Sequence, residues 1–201
     1  MYRLTTKRIK YESVKKGGIC VTQFFSINLS ATAMEIKLCQ TDQSKEIFLL
    51  LRDCKNSLDK QGVFQWTDDY PSLAIVVNDI NRGYLYCAIL EDKCVGVVSV
   101  NDEQDPEYTA VAWSDNAGKI LVIHRLAVST GYQGQGIAKA LMDFAEQYGI
   151  ENNYSSIRLD AYSANTRVLK FYMNRSYQKR GEVFFPGRIA PFYCYEKLLS
   201  N

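Results

Sequence analysis

Histidine is almost missing from this chain: His124 is the sole one in 201 residues. No two of the six cysteines stand as C-x-x-C. A structural zinc site therefore lacks its usual donors at their usual spacing, and no metal is expected. No apolar run approaches the roughly 20 residues of a membrane span. The longest, Ile47–Leu51 and Leu73–Val77, suit buried helix turns. No secretory signal is evident, and the chain is large for a disulfide scaffold. Cys20, Cys39, Cys54, Cys87, Cys94 and Cys194 thus read as reduced thiols of a cytoplasmic protein without a membrane partner. No internal repeat or low-complexity run is present. The body also lacks a basic stripe, which argues against a nucleic-acid partner.

What is present suits one well-packed soluble domain: 47% hydrophobic and 23% charged residues, with a net charge of +2. The charge is uneven. Residues 1–33 carry Arg3, Lys7, Arg8, Lys10, Lys15 and Lys16 against Glu12 alone, so the remainder is mildly acidic. These residues read as a basic extension, a start-site artefact or an expression addition in preference to a native arm. The domain proper is expected over 34–201.

Periodicity places a first strand at Met34–Cys39. Ile47, Leu50, Leu51, Cys54 and Leu58 recur at helical spacing within Gln43–Leu58. Phe64–Tyr70 reads as an aromatic loop. Pro71 suits the first turn of a helix that continues through Leu73–Ile80. Tyr84–Leu90 and Cys94–Val100 flank Glu91-Asp92-Lys93 as a hairpin. Asn101–Asn116 reads as a loop or an irregular strand connection. The order predicted for the whole is βααβββαβαββ, an α+β sheet with helices on both faces.

The most informative segment is Lys119–Leu141. Ile120, Leu121, Val122, Ile123, Leu126 and Val128 make a buried strand, and Gly131, Gly134 and Gly136 interrupt it. Ile137, Ala138, Ala140, Leu141, Phe144 and Ala145 then recur as a helix. A helix that opens on glycines exposes unpartnered N–H groups and its positive dipole end, an anion site suited to phosphate. A Walker loop is excluded, because Ile137 and Ala138 follow Gly136 where Lys and Ser/Thr are needed. A dinucleotide fingerprint fits poorly, because Lys139 occupies the place of its third Gly or Ala.

Gln133-Gly134-Gln135-Gly136-Ile137-Ala138 matches Q/R-x-x-G-x-G/A. With Leu126-Ala127-Val128 before it and a helix after it, the segment resembles the acetyl-CoA pyrophosphate loop of the GNAT (GCN5-related N-acetyltransferase) superfamily. Asn165 and Tyr172 fall on that family's Asn after the fifth strand and Tyr on the next helix. The family's Gly-Phe-like pair is replaced by Ser176-Tyr177, which suggests a different helix end. The resemblance covers about Met34–Leu198. It implies a GNAT-like twisted mixed β-sheet flanked by helices, its fourth and fifth strands splayed around acetyl-CoA as co-substrate. It also implies direct acetyl transfer to a primary amine, small molecule or peptide, and homodimers are common in the family.

The resemblance assigns cofactor contacts to the backbone of Leu126, Ala127 and Val128, to the N–H groups of Gln133, Gly134, Gln135, Gly136, Ile137 and Ala138, and to Asn165. An amine of lysine type is mostly protonated at neutral pH and must lose a proton before attack. His124 is the first candidate base, or else a structural histidine. Asp160 is the rival base, or else a loop cap or a partner of Arg125 or Arg158. A water relay remains an alternative to both. Tyr172 is the candidate acid, or else a core aromatic. Trp66 and Tyr70 suit stacking on an acceptor, and Asp68 suits attraction of its cation. Acids before Pro71 equally suit the helix dipole. Phe184, Phe185, Phe192 and Tyr193 suit either a site wall or sheet packing. Three other readings stay open: a non-catalytic acyl-CoA-binding module, an acyltransferase that uses a longer acyl-CoA, and a regulatory partner-binding module that uses the basic arm.

Overall fold

A computed structural model describes residues 25–29 and 32–199, with side chains from residue 34 onwards. The strands are β1 Phe25–Leu29, β2 Thr32–Leu38, β3 Leu85–Leu90, β4 Lys93–Asn101, β5 Ile120–Val128, β6 Ser156–Tyr162, β7 Gln178–Val183 and β8 Phe192–Leu198. The helices are α1 Ser44–Asp59, α2 Leu73–Asn81, α3 Ile137–Glu151 and α4 Thr166–Met173. They build one eight-stranded sheet in the order β1-β2-β3-β4-β5-β6-β8-β7. Every neighbouring pair is antiparallel except β5 and β6, which run parallel. The sheet is mixed, as expected.

The sheet begins earlier than the sequence suggests. β1 pairs antiparallel with β2 from Phe25↔Ile36 to Leu29↔Thr32, so a strand lies within the segment read as an extension. The part of that reading that concerns residues 1–24 falls outside the described residues. Because of β1, the fourth and fifth strands of the family pattern are β5 and β6 here.

Each helix turns one apolar stripe to the sheet, as its spacing demands. α1 buries Ile47, Leu50, Leu51 and Cys54, and α2 buries Val76 and Ile80, in one core against Leu85, Cys87 and Val97. α3 buries Ile137, Ala140, Leu141, Phe144 and Ala145 in another core, against Val95, Val98, Leu121 and Ile157. The alternation of strand side chains separates these two cores onto opposite faces. The β3–β4 hairpin turns on Glu91 and Asp92 at φ 50° and 60°. Two left-handed residues are what a two-residue turn of primed type requires. α2 starts later than its proline implies. Ser72 is its cap, accepting from Ile75 N–H at 3.3 Å, and Pro71 lies outside the helix. Among the described residues no helix is long and apolar enough to cross a membrane.

The connection from β4 to β5 is irregular and ordered. It holds a short 3-10 turn, Pro106–Ala110, and packs Tyr108, Val111 and Trp113 in a third core with Val122, Tyr162 and Phe192. Buried Glu196 pins it. Its carboxylate accepts from Ser114 N–H at 2.8 Å, Arg180 Nε at 3.1 Å and Arg158 Nε at 3.4 Å. The Arg158 guanidinium also stacks 4.3 Å from the Trp113 ring. Glu196→Gln keeps an acceptor but strips two arginines of their counter-charge. It is expected to cost about 2 kcal/mol in urea unfolding.

Candidate active site

β5 and β6 pair only at Ile120↔Ser156, Leu121↔Ile157 and Val122↔Arg158. Beyond Val122 they part, and the rest of each strand borders an opening. The β4–β5 register shifts between Val97 and Ser99, where Arg125 adopts φ 50°. A non-glycine residue holds that conformation only when its surroundings fix it. Here Arg125 Nε donates to Asp79 Oδ2 at 2.8 Å, Nη2 donates to the same oxygen, and Nη1 donates to Tyr70 Oη at 3.0 Å. Asp79, buried on α2, thus holds the irregular turn of β5.

Two cavities occupy the opening, of about 580 and 300 Å³. They share Gln65, Trp66, Leu126 and Val168, so they form one continuous cleft.

The larger cavity is bordered by the end of β5 and the glycine turn. Ser129 N–H bonds Val95 O across to β4. In a trans peptide the Val128 carbonyl lies opposite the Ser129 N–H, so the other side of this peptide faces the opening. Its carbonyl takes Cys54 Sγ at 3.2 Å and Gln133 Nε2 at 3.1 Å. Gly136 caps α3 at φ 84°, with no side chain bonded to the cap, and Gly134 lies at φ 79°. A Cβ at either would meet nothing within 4 Å. The glycines therefore answer backbone conformation, and both line the larger cavity. No acid stands in the first turn of α3, whereas Lys139 and Arg167 line the cavity. Open amides, a helix dipole and two cations suit a pyrophosphate.

Of the expected cofactor contacts, Leu126, Ala127, Val128, Gln133, Gly134, Gly136, Ile137, Ala138 and Asn165 line this cavity. Gln135 does not line it, and its side-chain Nε2 donates to Gly131 O at 3.4 Å. Asn165 caps α4 through Val168 N–H at 3.3 Å and donates Nδ2 to Gln65 Oε1 at 2.9 Å.

The smaller cavity gathers His124, Asp160, Tyr172, Trp66 and Tyr70. Asp68 is a correction: it is 81% exposed and pairs with Lys55 at 2.9 Å and Arg52 at 3.8 Å on α1, away from the cavity. Asp160 lines the smaller cavity beside His124 and Tyr172. Neither Arg125 nor Arg158 pairs with it; Tyr108 Oη donates to its Oδ1 at 2.7 Å. Burial pushes the Asp160 carboxyl up from 3.8 to about 6, against the lowering effect of that bond. His124 Nε2 donates to Glu103 O at 3.2 Å. Burial, with Arg125 adjacent, pushes its imidazole down from 6.5 to about 4. Tyr172 is buried among Phe171, Tyr177 and Tyr195, and burial and then Asp160 raise its phenol. It stays protonated throughout the neutral range.

The His124 shift has a definite sign. Its unfolded form binds a proton more readily, so the stability it allows is present above pH 6.5 and is lost as pH falls towards 4. His124→Gln removes this liability. The melting-temperature difference between variant and parent is expected to move in the variant's favour across that window. An unchanged difference would show the imidazole to be solvated.

Sequence reading missed Asp105, Tyr108, Gln65 and Arg188, all of which bear on the smaller cavity. They stand on connections without periodicity, and their contacts join distant parts of the chain, as with the Arg188–Gln65 bond spanning 123 positions. The helix end after α4 differs too. Ser176 keeps the left-handed turn at φ 67° where the family has Gly, and Tyr177 N–H closes on Tyr172 O at 3.2 Å.

Solved structures share this architecture. A GNAT-family acetyltransferase from Streptococcus agalactiae superposes with a TM-score of 0.73 at 23% identity, covering 87% of this chain and 100% of that one. Arabidopsis thaliana NAA60, solved in complex with acetyl-CoA, gives 0.64 at 15% identity, over 84% and 99%. The Acetyltransferase (GNAT) family pattern matches residues 47–177, and the chain belongs to that family. Human N-acetyltransferase 8B is 29% identical over 116 residues, 54% of this chain and 48% of that protein. N-acetylaspartate synthetase of Xenopus tropicalis is 28% identical over 114 residues, 53% and 38%. This chain thus spans about half the length of the curated relatives it matches, or less.

Proposed function

We propose that the chain is an N-acetyltransferase that moves the acetyl group of acetyl-CoA directly to a primary amine. The observation that carries this reading is the single cleft between the parted β5 and β6. It has an anion cradle at one end and Asp160 with Tyr172 at the other. The larger cavity suits CoA, with its pyrophosphate on the N–H groups that follow Gly134 and its pantetheine beside Leu126 and Val128. The thioester then reaches the shared wall at Leu126, and the amine enters from the smaller cavity.

In this reading Asp160 is the base. A carboxylate with a pKa of about 6 is ionised at neutral pH and still takes a proton with useful driving force. His124, at about 4, is the poorer acceptor. The ammonium gives a proton to Asp160, the nitrogen lone pair forms the C–N bond, and the C–S bond breaks. Tyr172 protonates the leaving thiolate and is restored by the proton that Asp160 took, while the second nitrogen proton leaves to solvent. Each cycle thus converts ammonium and thioester to amide, thiol and one released proton. Five described cysteines are buried free thiols, which supports a reducing, cytoplasmic setting.

Isothermal titration with acetyl-CoA, with ATP and NAD as controls, tests the cofactor. Amine-dependent release of CoA tests the transfer. Selective binding followed by release is the expected result. Binding without release by any amine would indicate a silent acyl-CoA module, and no binding by folded protein would overturn the reading.

A further inference from the structure

The geometry points to an acceptor that carries a carboxylate beside its amine, an α-amino acid or a derivative with that carboxylate free, bound through Arg188. This rests on the acetyl-transfer reading of the cleft.

The smaller cavity is lined by two arginines and two carboxylates, Arg125, Arg188, Asp105 and Asp160. The positive charge of Arg125 is already matched. Its guanidinium is ion-paired to buried Asp79 and bonded to Tyr70. Arg188 is different. It stands on the β7–β8 connection, and its Nε donates to Gln65 O at 2.9 Å. Gln65 is in turn held by Asn165, the cap of α4, through the 2.9 Å bond to its Oε1. Arg188 is therefore tethered to both sides of the cleft mouth. Among the described residues it makes no ion pair, and its two terminal nitrogens have no hydrogen-bond partner.

A guanidinium held through Nε presents its outer edge, the Nη1 and Nη2 pair. That edge offers two parallel N–H donors at the spacing of carboxylate oxygens. Its orientation is fixed before any ligand arrives, so little rotamer entropy remains to be lost. Asp105 gives the complementary feature. No described group hydrogen-bonds its carboxylate, and burial, then Glu107, raises it. Asp105 and Asp160 together form a negative wall for an ammonium, and the latter also accepts its proton. One cavity thus offers a cation and two anions that make no ion pair among the described residues, as a zwitterion requires. A volume of about 300 Å³ accommodates an amino acid with a side chain, and Trp66, Phe185 and Phe192 leave that side chain an apolar wall.

An acceptor without the carboxylate leaves Arg188 half-buried with no partner, and a site built for a polar group discriminates against a ligand that lacks it. The test is CoA release with a panel of L-amino acids, each set against its own amide. The amide preserves shape and amine and removes one charge. The expected result is a kcat/KM about 100-fold higher for the preferred acid than for its amide. Arg188→Ala is expected to erase that difference by raising KM for the acid, and Arg188→Lys to restore part of it. Equal use of acid and amide, or preference for the amide, would overturn the proposal and leave acetyl transfer standing, with a peptide N-terminus as the acceptor class. An Arg188→Ala variant that lowers acid and amide by the same factor would overturn it as well, making Arg188 a brace for Gln65. Failure of every amine to release CoA from enzyme that binds acetyl-CoA would defeat the acetyl-transfer reading itself, and this proposal with it.

Discussion

Gly136→Asp is expected to abolish acetyl-CoA binding while the protein stays folded. The position is the N-cap of α3 at φ 84°, with open space where a side chain would project. A left-handed conformation costs a typical L-residue about 1–2 kcal/mol, and Asp is among the residues that tolerate it. Asp is also a favoured helix cap, which offsets part of that strain. Stability should therefore change by no more than about 1 kcal/mol. Binding is another matter. The new carboxylate takes the amides that would hold phosphate and sets negative charge against negative charge. Its electrostatic influence also competes for Lys139 and Arg167, the two cations that line this end of the cleft. A loss of at least about 100-fold in affinity is expected, equivalent to about 2.7 kcal/mol. Gly136→Asn has nearly the same shape without the charge and should lose about tenfold, so the pair divides the electrostatic part from the steric part. Titration calorimetry reads the affinities, and thermal melting confirms folding. A folded Gly136→Asp that binds within threefold of the parent would mean that phosphate sits elsewhere.

That cradle was legible in the sequence because backbone makes it. A β-branched run, three glycines and a helical repeat fall within one continuous segment, and each predicts its own conformation locally. The strands and helices from Ile120 to Met173 follow for the same reason. The first strand did not. Basic residues as far as Lys16 colour the composition of the N-terminal segment, while the pairing of Phe25–Leu29 with β2 depends on a partner strand. The side chains of the acceptor cavity were only partly legible. His124, Asp160 and Tyr172 could be named, because they flank the glycine turn and its companion strand. Their partners could not. Tyr108 reaches Asp160 from 52 positions away, on a connection with no periodic signal. Asp79 sits in a helix whose apolar pattern explains itself without it, yet it meets Arg125 46 positions on. Asp68 looked like an acceptor contact because it neighbours Trp66 and Tyr70 in sequence. It turns instead to Lys55 and Arg52 on the flank of α1, a contact that only the tertiary packing creates. Ser176 shows the complementary limit. Its lost glycine suggested a changed helix end, but the closure of Tyr177 onto Tyr172 O holds the left-handed turn without one.

Asp160→Asn is expected to lower kcat by about 10²- to 10⁴-fold, the range of a lost general base, with acetyl-CoA affinity unchanged. Asn keeps an oxygen for the Tyr108 hydroxyl, so the local hydrogen bond survives and the lost capacity is proton transfer alone. In the parent, kcat/KM should rise with pH through about 6 as the carboxylate ionises, and the variant should lack that limb. Stability should move the other way. The folded pKa lies above the ordinary carboxyl value of 3.8, so the native state binds this proton more tightly than the unfolded chain does. Native stability is therefore lost as pH rises from about 4 to about 6, and the cost is fully present above that, on the order of 2–3 kcal/mol. Asn carries no such charge. The variant should melt above the parent at pH 7.5 and alongside it at pH 4. A carboxylate kept for structure would give the opposite pattern, with stability and activity falling together. Opposed changes would mark Asp160 as a group held in an unfavourable state because the reaction needs its charge. Should the variant retain the pH-dependent limb, the proton must pass to another group, and His124 or a water chain would take the place of Asp160.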